Sequence, residues 1–121
     1  MSAQRDPAID PEPFLPLAPR DVLILLALTE QPQHGYGLIK EAESLGDGRL
    51  RMDPANLYRA LKKLSRDGLV EDADPAEDDG QRRRTYAITA LGRAVVAAES
   101  QRLARLAEVA RDRDLLSSPE R

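Results

Sequence analysis

"DPANLYRALKKLSRDGLV", residues 53–70, is the stretch that decides the fold. Asp53 can accept a backbone N–H as an N-cap, and Pro54, which has no N–H to satisfy, suits the first helical position. Leu57, Ala60, Leu61 and Leu64 then recur at helical spacing as an inward stripe. Asn56, Arg59, Lys62, Lys63 and Arg66 fall largely on the outward side. Gly68 is placed to take the left-handed conformation that ends a helix, and Leu69 turns the chain back toward the core. The stretch predicts a capped helix that is apolar inside and basic outside.

Immediately after it the apolar period changes. "LVEDADPAEDDGQRRRTYAITA", residues 69–90, holds two short strand candidates separated by a Pro-, Asp- and Gly-rich connection, the pattern of a β-hairpin. Tyr86 and Ile88 share one face of the second strand, and Arg82 and Arg84 continue that parity toward the tip. Thr89 is positioned to cap a fourth helix running to about Arg113. Leu91, Val95, Ala98, Arg102, Leu103, Leu106, Val109 and Ala110 give that helix an apolar stripe with one basic interruption. Its length of about 36 Å, at 1.5 Å per residue, matches the width of a small domain, so part of the stripe calls for a second subunit.

On the other side, Pro19 opens a first helix predicted to reach about Glu30. Its run "VLILLAL", residues 22–28, is apolar around the whole circumference and must be covered on more than one side. "HGYGLIKEAESLG", residues 34–46, predicts a second helix with Leu38, Ala42 and Leu45 on one face, stopped by Gly46 and Gly48. Four prolines, Pro7, Pro11, Pro13 and Pro16, mark residues 1–18 as an extended arm. The domain reading is that arm, a unit of three helices and the hairpin over 19–89, a C-terminal helix over 90–114 and a tail over 115–121.

Composition narrows the function. The 121 residues suit one domain. No apolar run approaches the roughly 20 residues of a membrane span, and the acidic N-terminal stretch lacks a signal-peptide pattern, so a soluble, cytoplasmic protein is expected. There is no cysteine and only one histidine, His34, which leaves no ligand set for zinc and no base beside a nucleophile. Neither an enzyme nor a cofactor is expected. "HGYGL" is wrongly spaced for a phosphate-binding glycine loop, and three tyrosines with one phenylalanine are too few for single-strand stacking. Asp72 and Asp74 begin like a calcium loop, but Ala76, Glu77 and Arg83 stand where later ligands and the turn glycine belong.

The net charge of -3 hides a segregation. Residues 49–67 carry six bases and two acids, residues 80–93 four bases and no acid, and residues 71–79 six acids and no base. Local patches govern nucleic-acid affinity more than the sum does. Three helices followed by a hairpin make a mainly α fold with a small β-hairpin wing, the winged helix-turn-helix. There the third helix would enter the major groove, with Arg82, Arg83 and Arg84 on flanking phosphates, where the planar guanidinium bonds bidentately.

The chain resembles the PadR-type transcriptional regulators over about residues 17–113. The resemblance rests on "HGYGLIKE", "DPANLYRALKKLSRDGLV" and "GQRRRTYAITALG" (residues 80–92) together. It implies a dimeric bacterial repressor on an inverted-repeat operator, with Tyr58 near the DNA backbone and Asn56 and Arg59 near base edges. It implies that the fourth helix pairs subunits by packing on the partner's first helix, with Val22, Leu23, Leu26, Val95, Leu103, Leu106, Val109 and Ala110 at the contact. It also puts any small-molecule effector in the cleft between those helices, near Phe14 and Leu15. The sequence departs from the family where Ala55 and Asn56 replace the usual Gly-Thr and where Arg59 replaces a frequent proline. The single C-terminal helix resembles the short branch of the family. The alternative is a winged-helix module whose basic face binds an acidic protein.

Overall fold

A computed structural model describes residues 9–73 and 84–117. Helix α1 spans Pro19–Leu28, α2 Gly35–Leu45, α3 Pro54–Arg66 and α4 Ala90–Asp112. Strands β1 (Gln33–His34), β2 (Val70–Asp72) and β3 (Thr85–Ile88) form one antiparallel sheet in the order β1-β3-β2. The expected hairpin is present as β2 and β3, with Val70 opposite Ile88 and Asp72 opposite Tyr86. Strand β1 adds to the expected elements. Its two residues pair Gln33 with Tyr86 and His34 with Thr85, a contact too short to leave a period in the sequence.

The helix boundaries follow local chemistry. Asp53 Oδ1 accepts the Asn56 N–H at 2.8 Å, and Pro54 opens α3. Thr89 Oγ1 accepts the Gly92 N–H at 2.9 Å and donates to the Gly68 carbonyl at 2.7 Å, so one hydroxyl caps α4 and ties it to the end of α3. Gly68 closes α3 at φ 81°, where a side chain would be strained. Gly92 is required for a different reason. A Cβ there would run into the Leu69 backbone carbonyl and the Ile88 side chain, so its absence lets α4 lie directly on the entry to the wing.

The core joins Ile24, Leu25 and Leu28 of α1 to Leu38 and Ala42 of α2, Leu57, Leu61 and Leu64 of α3, and Val95 and Val96 of α4. Met52, Leu69 and Val70 fill the gaps between them. The all-round apolar run of α1 is thus mostly consumed inside the protomer, while Val22, Leu23 and Leu26 stay half-buried against the core. Two expectations need correction. Val95 is sealed in this core at 0% exposure and has no surface left for a partner subunit. Leu45 lies on the same face of α2 as Leu38 and Ala42 but is 48% exposed, whereas Ala42, three residues earlier, is sealed at 0%.

The arm is more than an extended lead. Glu12–Phe14 form a 3-10 turn, and Phe14, Leu15 and Leu17 pack partly buried against the core. The arm meets α4 at Glu99, which is 1% exposed in the middle of a helix. Arg102 holds that carboxylate with two hydrogen bonds, Nε to Oε1 at 2.8 Å and Nη2 to Oε2 at 2.7 Å. Those bonds keep the Glu99 pKa below its usual value against the opposing effect of burial, and the Leu17 backbone N–H adds to them. The basic interruption in the α4 stripe is therefore half of an ion pair. A buried carboxylate is tolerated only with such partners.

Candidate nucleic-acid interface

Helix α3 turns Leu57, Leu61 and Leu64 fully inward, which orients the opposite face to solvent. On that face the first turn is organised by Asp53. Besides capping, its Oδ2 accepts the Asn56 Nδ2 at 3.3 Å, and Asn56 Oδ1 in turn accepts Arg59 Nη1 at 2.9 Å. Tyr58 leaves the helix toward α2. It is 37% exposed, and its hydroxyl lies where a Cβ on Gly35 would stand, so this glycine permits close approach of the tyrosine to the start of α2. Lys62 and Arg66 are exposed farther along, and among the described residues no acid lies within ion-pair distance of Arg59, Lys62 or Arg66.

Lys63 is exposed but faces two acids of the fold. Its Nζ lies 3.8 Å from Asp21 on α1 and 3.8 Å from Asp67 at the end of α3. Asp21 is only 7% exposed, and burial raises its pKa despite the lowering effect of Lys63 and Arg20. The charge of Lys63 is thus partly spent on α1. Sequence spacing could not reveal this, since the partner sits in the first turn of a different helix.

In the wing, Arg84 is exposed and its Nε lies 3.4 Å from Asp72 Oδ2 on the neighbouring strand. Arg82, Arg83 and the acids from Asp74 to Asp79 lie outside the described residues. Tyr86 is half-buried at the sheet centre, and burial raises its pKa first among several causes. Thr85 Oγ1 meets His34 Nδ1 at 3.2 Å, which places the lone histidine on the sheet. Tyr36 is a surface residue that sequence reasoning missed. It is 73% exposed on α2, with the Lys40 ammonium 5.4 Å from its ring centre. Its position off the Leu38 and Ala42 stripe was the available signal.

On α4, Leu103, Leu106 and Val109 are 41%, 54% and 45% exposed, and Ala110 is half-buried beside them. This is a second exposed surface, apolar where that of α3 is cationic. Among the described residues no group of three acids or histidines could hold a metal, and no helix is long and apolar enough to cross a membrane.

A compact set of helices, a capped third helix with an outward polar face, and a three-stranded wing define the winged-helix class of transcription regulators. The family model for the PadR-like transcriptional regulators matches residues 24–98, and the chain belongs to that family. Solved structures agree on the fold. A PadR-like regulator from Bacillus cereus superposes with a TM-score of 0.64 at 18% identity, over 80% of this chain and 92% of that one. A PadR family regulator from Clostridium difficile gives 0.61 at 20% identity, over 78% of this chain and 97% of that one. In sequence, an uncharacterized 37.1 kDa protein of a Streptomyces fradiae transposon is 36% identical over 85 residues, which are 70% of this chain. The match spans 23% of that relative's length.

Proposed function

We propose that this PadR-like regulator acts in the cytoplasm as a homodimer that binds an inverted repeat in duplex DNA and represses transcription by occupying or bending the promoter. The two α3 helices enter successive major grooves about 34–36 Å apart, each wing lying along the flanking backbone. Asn56, Tyr58, Arg59, Lys62 and Arg66 make the helix contacts, and Arg82, Arg83 and Arg84 serve the wing. Lys63 contributes less than its neighbours because two carboxylates already hold it. Leu103, Leu106, Val109 and Ala110 of α4, with Val22, Leu23 and Leu26 of the partner's α1, supply the subunit contact.

The observation that carries this reading is the outward face of α3. Three cations there lack an acidic partner among the described residues, while the opposite face is locked into the core. Such a face attracts duplex DNA, whose phosphates and electronegative base edges both favour cations. Selection of bound duplexes from a random pool tests it. A palindromic consensus is expected, and failure to retain any duplex in dilute buffer refutes DNA binding.

A further inference from the structure

The first turn of α3 contains a relay of hydrogen bonds in which each partner leaves the next no choice. A carboxylate only accepts, so the Asn56 group facing Asp53 must be the amide Nδ2. A guanidinium only donates, so the group facing Arg59 must be Oδ1. Asp53 is itself held by its capping bond to the Asn56 N–H. The orientation of the carboxamide is therefore dictated by chemistry at both ends.

Two consequences follow for base recognition. To read adenine, an asparagine must present Oδ1 and Nδ2 side by side to the base, Oδ1 toward N6 and Nδ2 toward N7. Here the pair is turned along the helix, one end to Asp53 and the other to Arg59. Arg59, by contrast, is exposed and uses only Nη1 for this bond, and the adjacent Nε and Nη2 donors make no hydrogen bond among the described residues. Two parallel donors of this kind match O6 and N7 of guanine, and holding the guanidinium beforehand reduces the rotamer entropy lost on binding.

We propose that Arg59 is the base-reading residue of α3 and selects guanine through its Nε and Nη2 edge, while Asn56 is a positioning residue that fixes the guanidinium from behind. This rests on the DNA-binding reading given above and divides the work of two residues that could otherwise each read a base.

The test is selection from a random duplex pool with the full-length chain and its Arg59→Ala and Asn56→Ala variants, accompanied by salt titrations on random-sequence DNA. The wild-type consensus should contain one guanine per half-site whose replacement lowers affinity about 5- to 160-fold. Arg59→Ala should lose that preference alone and keep the wild-type salt slope, since a base contact releases no counterion. Asn56→Ala should weaken the same guanine preference and leave base identity at every other position unchanged. Several results overturn the proposal: an unchanged consensus for Arg59→Ala, a salt slope reduced by about 0.9 in that variant as for a phosphate contact, or loss of an adenine elsewhere in Asn56→Ala. If the wild-type chain enriches no duplex, the DNA-binding reading falls and this inference falls with it. If it enriches a consensus that Arg59→Ala reproduces, only this inference fails.

Discussion

In the proposed homodimer, replacing Leu106 by aspartate should separate the two subunits without unfolding either. Leu103, Leu106 and Val109 retain 41%, 54% and 45% of their exposure in the protomer. Fully burying such a side chain is worth about 1.5–3 kcal/mol, so each still has roughly 1 kcal/mol to gain. Three per protomer, counted twice by symmetry, supply about 6 kcal/mol toward association. Leu106→Asp forfeits about 1 kcal/mol per protomer and sets a carboxylate in an apolar seam, at a further cost of at least 1 kcal/mol each. The total of about 4 kcal/mol corresponds to a dimer Kd raised about 1,000-fold. Sedimentation equilibrium over a wide concentration range reads this directly, with far-UV circular dichroism to confirm retained helicity. An unchanged Kd would show that the α4 stripe is not the subunit contact, and a monomeric wild-type chain would refute dimerisation altogether.

Three further outcomes are expected. Lys62→Gln and Arg66→Gln should each flatten the salt dependence of DNA affinity by about 0.9 per decade of salt, whereas Lys63→Gln, whose charge is shared with Asp21 and Asp67, should flatten it less. Asp21 has a raised pKa in the fold, so its contribution to stability is present below its ordinary 3.8 and is lost as pH rises through the folded value. Asp21→Asn should therefore raise the denaturant midpoint at pH 7 and flatten the pH dependence in that window; a lower midpoint would mean that the Lys63 attraction outweighs burial. Gly92→Ala gains up to about 1 kcal/mol of helix propensity but forces a Cβ against the Leu69 carbonyl, and urea unfolding should show a net loss of about 2 kcal/mol.

Much of this molecule is legible in its sequence. Asp53-Pro54 and Thr89 mark their helix starts because capping is a local contest for a few unsatisfied N–H groups, settled within three residues of chain. The stripe of Leu57, Leu61 and Leu64 is legible for the same kind of reason, since helical period alone puts these residues on one face. The family resemblance rests on these signals, and the matched span of residues 24–98 contains both caps.

Other features depend on which elements come together. Val95 and Leu106 have the same apolar character on the same helix, yet one is sealed at 0% and the other is 54% exposed. Nothing in their type or spacing separates them; what differs is whether α1 and the sheet reach that far along α4. The pairing of Asp21 with Lys63, the burial of Glu99 beneath the arm and the third strand at Gln33–His34 likewise join segments distant in the chain. Sequence determined the local elements and their polarity, because those are short-range preferences. The tertiary structure alone decided which charges are spent within the fold and which remain exposed, because burial is a property of what packs on top.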